Sequence, residues 1–403
     1  MKPMSLFRDS SIRWALALIA LSLPTALSHG DGHEGAMSEA DLPKDDSEYP
    51  PTYFSLSDHS GLMYAHICLM TLSWVFVLPV AVMLSLTGSN YTVVDRIILP
   101  FGFIAFTTGI VTYGRLFEGK AIFGGLAHWV KGGVFFWLGL FTLGRWAGSF
   151  AELGWAWNRR PKQPSNRWRP SAEFIESFLI FFYGSTNVFL EHLGGWGGRW
   201  TAQDFEHISI TVLFIGGGLC GMLIESTRAR ELLNTAMSNM EEEDVCRDEE
   251  RQQYAPPETY AFSLNPFPAL VILLLGIMMS SHQQSSMISS MIHKQWGNLL
   301  TGASLARGLS YVIMYIKPPK SIYPSRPPTE LLTAFGLISG GIIFMASASD
   351  SVEGMIHYEL DAMFMYTVTM GLVGLLMAWE LVVLAVKGWA SQKTRTPRPF
   401  HVV

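Results

Sequence analysis

Long apolar runs alternate with short polar segments along most of this chain. Nine of these runs are about 20 residues long, the length that an α-helix needs to cross the hydrocarbon core of a bilayer. The runs cover residues 62–86, 97–116, 127–148, 173–193, 207–226, 264–282, 296–316, 329–349 and 361–387. The pattern therefore predicts an all-α fold, a polytopic membrane helix bundle with about nine transmembrane helices.

Polar segments divide the predicted bundle into two units. The basic segment 149–172 predicts a cytosolic linker between a three-span unit, residues 59–148, and a six-span unit, residues 173–390. The helices are thus expected in a three-plus-six arrangement. A basic cytosolic tail is predicted over residues 391–403.

An acidic segment, residues 227–263, interrupts the six-span unit. Its run of four acidic residues, 241–244, predicts a solvated cytosolic loop. Docking of a cytosolic protein partner on this loop is the alternative hypothesis.

The first 28 residues have the features of a secretory signal peptide. Basic residues precede a ten-residue apolar run, and the small residues Ala26 and Ser28 suit a cleavage site. An uncleaved anchor is the alternative. Residues 29–58 are acidic and punctuated by Gly, Ser and Pro, which predicts a disordered luminal or extracellular tail.

Lysine and arginine are distributed unequally between the two sides of the predicted bundle. With the mature N-terminus outside, the cytosolic segments contain sixteen of these residues and the outer segments four. Cytosolic loops of membrane proteins carry such an excess. The count predicts a multi-pass protein of the secretory pathway (ER, Golgi, vacuole or plasma membrane) with a luminal or extracellular N-terminus and a cytosolic C-terminus.

The composition agrees with a lipid environment. Hydrophobic residues make up 49% of the 403 positions and charged residues 15%, against about a quarter in soluble domains. Three scattered cysteines offer no disulfide framework. The sequence has no phosphate loop, dinucleotide fingerprint or nucleophile elbow, which disfavours ATPases and hydrolases. The predicted partner is the lipid bilayer, and no nucleic acid is expected.

Ten of the eleven histidines fall on the outer side of this topology, and only His401 does not. Those within or beside the apolar runs are His59, His66, His128, His192, His207, His282, His293 and His357. Ionisable side chains inside a membrane are costly and usually mark a functional site. The one-sided distribution predicts a ligand or metal layer near the outer leaflet.

His66 and His128 form the first candidate site. They lie near the outer ends of the first and third apolar runs, which would cross the bilayer in the same direction. Met70 and Gly132 follow each histidine by four positions and so share its helix face. A glycine at this place leaves room for a flat ligand, so one b-type haem with two axial imidazoles is predicted. Hydrogen bonding of both imidazoles to backbone or water is the alternative.

The six-span unit contains a second candidate site, a metal site at the outer ends of four successive spans. Its residues are Glu191, His192, Glu206, His207, His282 and His293. Imidazole and carboxylate groups suit copper, zinc or iron, and a neighbouring acid can orient a ligating imidazole. An interfacial hydrogen-bond network and a proton path are the alternatives. Arg307 lies in the middle of the seventh span and should face the bundle, paired with Glu380 or a backbone carbonyl. Snorkelling of its side chain toward the cytosolic side is the alternative.

Two resemblances add to these predictions. The pattern His66-x-x-Leu69-Met70-x-x-x-Trp74-x-x-x-x-Pro79 resembles the first haem helix of the transmembrane b cytochromes of the cytochrome b-561 type, and Ala127-His128-x-x-x-Gly132 resembles the helix with the matching axial histidine. The second apolar run has no histidine, so the resemblance implies at most one haem.

The whole mature chain more closely resembles the fungal yeast putative transmembrane protein (YTP-like) family. The runs that carry this resemblance include 190–196, 265–268, 278–284, 304–307 and 325–330. The family implies a multi-pass fungal membrane protein and no particular reaction. Three hypotheses follow: a single-haem or metal-dependent transmembrane oxidoreductase that transfers electrons, a metal or ion transporter, and a non-enzymatic membrane scaffold.

Overall fold

The structure is a computed structural model. It describes residues 60–72, 102–111, 114, 116–117, 122–157, 170–190, 200–238, 259, 262–282, 284, 286–321 and 323–394. The predicted signal peptide, the acidic tail, Glu191, His192 and most of the basic linker lie outside the described residues. The predictions for these segments stay predictions.

All regular elements within the described ranges are helical. We number the α-helices along the chain as α1 (Ser60–Thr71), α2 (Gly102–Val111), α3 (Ile122–Ala147), α4 (Ala172–Leu190), α5 (Ala202–Glu225), α6 (Thr227–Ser238), α7 (Phe267–Ser281), α8 (Met287–Ile316), α9 (Pro328–Ala346), α10 (Ser349–His357) and α11 (Ala362–Thr394). A 3₁₀ turn, Ala151–Leu153, follows α3. The predicted all-α fold is confirmed for this part of the chain.

Five of the described helices are long and apolar enough to cross a membrane: α3, α5, α8, α9 and α11. Helices α2 and α7 are apolar but shorter, and α4 has 19 residues with Glu173 in its first turn. Helix α6 was not expected, because it lies in the segment predicted as a loop. The total of nine spans includes residues outside the described ranges and stays a prediction.

Several helices begin where the sequence offers a cap or a proline. Thr201 and Asp204 form a reciprocal capping box at the start of α5, which satisfies two backbone N–H groups. Prolines open α7 and α9, since a residue without an N–H group fits the first turn of a helix. Asn265, just before α7, accepts a hydrogen bond from Phe267 N at 3.1 Å and donates one to Gly221 O at 2.9 Å. This side chain therefore joins the start of α7 to α5.

The helices pack in the spatial order α3, α9, α8, α7, α5 and α4. Glycines permit two of the closest contacts. A methyl group on Gly132 of α3 would lie 2.5 Å from the carbonyl oxygen of Gly341 in α9, and one on Gly276 of α7 would lie 2.7 Å from that of Gly297 in α8. Small residues of this kind let helix backbones approach inside a membrane.

The core lies along the buried face of α8. His293, Trp296, Leu300 and Arg307 recur on this face at intervals of three, four and seven residues, the spacing of one side of a helix. The outward faces of the other helices are apolar: Val212 of α5 and Leu375 of α11 are largely exposed in the isolated chain. Exposed apolar helix faces of this length suit contact with lipid.

Candidate functional site

Five charged side chains meet at one end of the bundle. Arg145 lies near the end of α3, Glu173 and Glu176 lie in the first turns of α4, and Glu330 lies in the first turn of α9. Arg307 reaches the same place from α8. We call these five residues the charge network. Each of them is at most 4% exposed.

Arg307 is at the centre of the charge network. Its Nη1 lies 3.1 and 3.0 Å from the two carboxylate oxygens of Glu176, and its Nη2 lies 3.0 Å from Glu330 Oε2. Nη2 also donates to Thr142 Oγ1 at 2.8 Å. One guanidinium therefore joins three helices, α3, α4 and α9, to its own helix α8.

Arg145 makes the second set of contacts. Its Nη2 lies 2.8 Å from Glu173 Oε1 and its Nη1 3.3 Å from Glu176 Oε1, while its Nε donates to Trp155 O at 2.7 Å. Glu176 is therefore shared between the two arginines. Charged pairs in a low-dielectric interior attract strongly but cost a large desolvation energy.

Aromatic rings cover the charge network on the side of the loop after α3. The ring centre of Trp157 lies 4.6 Å from the guanidinium carbon of Arg145 and 5.9 Å from that of Arg307. Tyr311 of α8 lies 5.8 Å from Trp157. These contacts add cation–π attraction and keep the guanidinium groups from solvent.

The charge network contains more carboxyl groups than guanidinium groups, and some of its polar atoms have no hydrogen-bond partner among the described residues. Two guanidinium groups face three carboxyl groups, which leaves one negative charge in excess when all five are ionised. Among the described residues, Glu330 Oε1, Arg307 Nε and Ser304 Oγ have no hydrogen-bond partner. A cavity of about 10 Å³ lies beside Glu176, Ser304 and Arg307, and this volume accommodates one water molecule.

A second group of polar residues lies at the opposite end of α8. His293 is 14 positions before Arg307, or about 21 Å along the helix. The ring centres of His293 and His128 are 6.1 Å apart, and their planes cross at 85°. We call His128, His207, His282 and His293 the histidine cluster. His207 is within electrostatic range of His128, and His282 is within that range of His293.

Backbone carbonyls orient both facing imidazoles. Nδ1 of His128 lies 2.8 Å from Gly124 O, and Nδ1 of His293 lies 2.8 Å from Ser289 O. A carbonyl can only accept, so each Nδ1 carries a proton and, in the neutral ring, Nε2 has the available lone pair. Both rings therefore keep Nε2 for a proton or a metal ion.

Aromatic side chains adjoin the facing imidazoles. The ring of Phe344 lies 5.6 Å from that of His128 and stacks on Trp296 at 4.1 Å. Trp296 in turn lies 5.8 Å from His293. Close by, Nδ1 of His282 is 3.1 Å from Glu206 Oε2.

The structure brings together some of the predicted site residues. His207, His282, His293 and Glu206 share one end of the bundle, and His128 faces the same group. No set of three His, Cys, Asp or Glu side chains in metal-binding positions is formed within the described ranges. The metal prediction therefore stays a prediction.

The predicted haem residues have separate surroundings. His66 is exposed and Met70 is partly buried on α1, whereas His128 faces His293. The space beside Gly132, expected to admit a flat ligand, is occupied by Gly341 and Met345 of α9. Gly132 thus has a packing role, and the haem itself stays a prediction.

Sequence reasoning missed most of the charge network. Arg307 faces the bundle as predicted, but its partners are Glu176 and Glu330 rather than Glu380 or a backbone carbonyl. A signal was present, because Arg145, Glu176 and Glu330 all lie inside apolar runs, toward the same side of the predicted topology. Ionisable side chains in apolar runs are as costly at these three positions as at the histidines, and so they indicate a site equally well.

Comparison with known proteins supports a membrane protein. The family described as "Protein YTP1-like, C-terminal" matches residues 101–388, and a domain of unknown function, DUF2427, matches residues 47–142. No solved structure matches this chain.

Two curated fungal relatives are similar over most of the chain. An uncharacterized membrane protein of Schizosaccharomyces pombe is 41% identical over 307 residues, which cover 75% of this chain and 59% of the relative. One of Saccharomyces cerevisiae is 42% identical over 308 residues, which cover 73% and 47%. The protein YTP1 of Saccharomyces cerevisiae is 21% identical over 182 residues, which cover 45% and 32%.

The chain spans about half of the length of these two uncharacterized membrane proteins. The YTP1-like match covers well over half of this chain, including every helix of the charge network. This chain therefore belongs to the YTP1-like family of membrane proteins.

Proposed function

We propose that this protein is a membrane transporter that moves protons through the charge network. The observation that supports the proposal is the inequality of two guanidinium and three carboxyl groups, all buried between apolar helices. Ionisable groups inside membrane helices are expensive and mark ion pathways and proton relays. A proton bound to one carboxyl group balances the charge of the network. Uptake of this proton from one side of the membrane and its release to the other side constitute transport.

Glu176 and Glu330 are the two carriers in this proposal. Glu176 contacts both arginines and borders the small cavity beside Arg307. Glu330 has one carboxylate oxygen on Arg307 and another without a partner among the described residues. The second oxygen can hold a proton without breaking an existing hydrogen bond. A water molecule in the cavity can exchange a proton with Glu176, which lines it.

Proton flux into liposomes tests the proposal. The purified protein is reconstituted with an internal pH-sensitive dye, and a potassium gradient with valinomycin imposes the membrane potential. We expect acidification at least tenfold faster than in protein-free liposomes. Glu176→Gln and Glu330→Gln should each remove this difference, because an amide cannot release a proton.

Glu380→Gln is the matched control. Glu380 is a largely buried carboxylate of α11 with an unpartnered oxygen among the described residues, but it makes no described contact with the arginines. Its substitution should leave the flux unchanged. Wild-type flux equal to that of empty liposomes, or full flux in both network variants, would contradict the proposal.

We also propose that the N-terminus is luminal or extracellular and the C-terminus cytosolic, as the distribution of Lys and Arg supports. The charge network then lies in the cytosolic half of the membrane and the histidine cluster in the luminal or outer half. Glycosylation acceptor sequences introduced into segment 29–58 and into the tail 391–403 test this orientation. Modification of the tail site alone would contradict it.

A b-type redox protein is the second candidate. The available Nε2 of His128 favours it, since an axial haem ligand needs that lone pair. The resemblance to the b-561 cytochromes implies His66 as the second ligand, with Met70 on the same face. Under this candidate the purified chain shows a Soret absorption band that His66→Ala abolishes. A preparation without that band excludes it.

A further inference from the structure

The histidine cluster supports an inference that does not depend on proton transport. We propose that His128 and His293 together bind one divalent transition-metal ion of the zinc class through their Nε2 nitrogens. Sequence reasoning assigned these two residues to separate sites, one for haem and one for metal. Only the packing of α3 and α8 on the same helix, α9, brings the two rings to an edge-on separation of 6.1 Å.

The distance between the two rings fits one shared ion. Zinc binds imidazole nitrogen at about 2.0–2.1 Å, so the ion lies about 3.2 Å from each ring centre and the centres can be at most about 6.4 Å apart. The observed separation of His128 and His293 is 6.1 Å. That limit applies when the two nitrogens lie on opposite sides of the ion, whereas the tetrahedral angle of zinc places the ring centres about 5.2 Å apart. The two imidazoles can therefore bind one ion when their side chains bring the rings about 1 Å closer together.

The second nitrogen of each ring is arranged as in metal-ligating histidines. Such residues usually donate the other ring N–H to a backbone carbonyl or a carboxylate, which fixes the tautomer and the ring orientation. Here both Nδ1 atoms lie 2.8 Å from the carbonyl oxygen four residues earlier. The same hydrogen bond at two facing histidines supports a metal site more strongly than either alone.

The surrounding rings favour a single ion over a porphyrin. Phe344 and Trp296 stack at 4.1 Å and adjoin His128 and His293 respectively. These rings lie 5.6 and 5.8 Å from the imidazoles that they adjoin, in space that a porphyrin bound to either imidazole would need and a single ion would not. The apolar walls also lower the local dielectric, which strengthens binding of the ion.

Polar and charged side chains lie near the two imidazoles. His207 of α5 is within electrostatic range of His128, but it does not form a three-residue metal-binding set with His128 and His293 within the described ranges, so water would fill the remaining coordination positions. Glu206 lies next to it in the chain and bonds to His282, so it places a negative charge near the site. Lys131 is also within range of His128 and opposes cation binding.

Zinc titration of the full-length protein in detergent tests the inference. We expect one equivalent of Zn²⁺ to bind with a Kd in the micromolar range or below. His128→Ala and His293→Ala should each weaken binding at least 30-fold, and the double variant should lose little more than either single variant, because both act on one site. X-ray absorption at the zinc edge should show imidazole nitrogen at about 2.0 Å.

Controls separate loss of a ligand from loss of the fold. His66→Ala and His357→Ala remove histidines outside the cluster and should leave zinc affinity unchanged. His128→Gln keeps a side chain of similar size and serves if the alanine variant unfolds; it should also weaken binding. Unchanged affinity in all His128 and His293 variants, absence of zinc binding, or a Soret band that depends on His128 would overturn the inference. Proton flux plays no part in this experiment, so the two proposals can fail separately.

Discussion

Arg307 donates hydrogen bonds to both carboxylate oxygens of Glu176, across 131 positions of the chain. The contact joins α8, which packs on α7 and α9, to α4, which packs mainly on α5. Arg145 extends the connection from α4 to α3. The charge network thus links helices that lie far apart in the packing order, and this position makes it important for the stability of the bundle.

Arg307→Met is predicted to destabilise the bundle strongly. The substitution keeps the volume but leaves the carboxylates of Glu176 and Glu330 buried without their partner, a change that costs about 3–5 kcal/mol. The free energy of unfolding in mixed detergent and SDS micelles measures the effect. Arg228→Met on exposed α6 is the control and should change stability little. Equal stability of the two variants would show that the network contributes nothing to the fold.

Gly132→Ala is predicted to separate α3 from α9. The added methyl group would lie 2.5 Å from the Gly341 carbonyl oxygen and 2.6 Å from the Met345 side chain, and overpacking of this kind costs about 1–3 kcal/mol. The same unfolding assay detects it. Gly124→Ala on the same helix is the matched control, because a methyl group there meets no atom within 4 Å. If both variants unfold alike, the close helix contact does not limit stability.

Asn265→Ala is predicted to weaken the junction between α5 and α7. The substitution leaves Gly221 O and Phe267 N without their side-chain partner in a buried place, which costs about 1–3 kcal/mol. Asn298→Ala, at an exposed position of α8, should have little effect. The SDS content at the midpoint of unfolding is measured for both variants and compared. A larger effect at Asn298 would contradict the assigned junction.

Leu375→Lys is predicted to reduce membrane insertion. Leu375 lies near the middle of the apolar stretch of α11 and is 68% exposed in the isolated chain, so its side chain should face lipid. A lysine at the centre of a membrane helix costs about 2.5–3.5 kcal/mol by insertion measurements. The amount of protein in the membrane fraction reports the effect. Leu232→Lys on α6, which is 75% exposed, should insert like the wild type.

Part of the fold follows from local pattern. Helices α3, α5, α8, α9 and α11 overlap predicted apolar runs because length and hydrophobicity act within one segment. Helix α8 begins nine residues before its run, where polar residues continue the helix outside the apolar stretch. Helix α6 was not predicted, because its composition is polar and the segment has no membrane-span pattern. The packing of Gly132 against α9 was also not predicted. A glycine that leaves room for a ligand and a glycine that lets a second helix approach look alike in the sequence.

The amino-acid sequence by itself determined the class of this protein, an all-helical membrane protein of the YTP1-like family, and it predicts a one-sided placement of the histidines. These properties depend on the kinds of residues in each segment. Only the tertiary structure decided that His128 faces His293 and that Arg307 pairs with Glu176 and Glu330. Such contacts depend on which helices become neighbours, and that choice results from packing between segments more than a hundred residues apart, which no local pattern records.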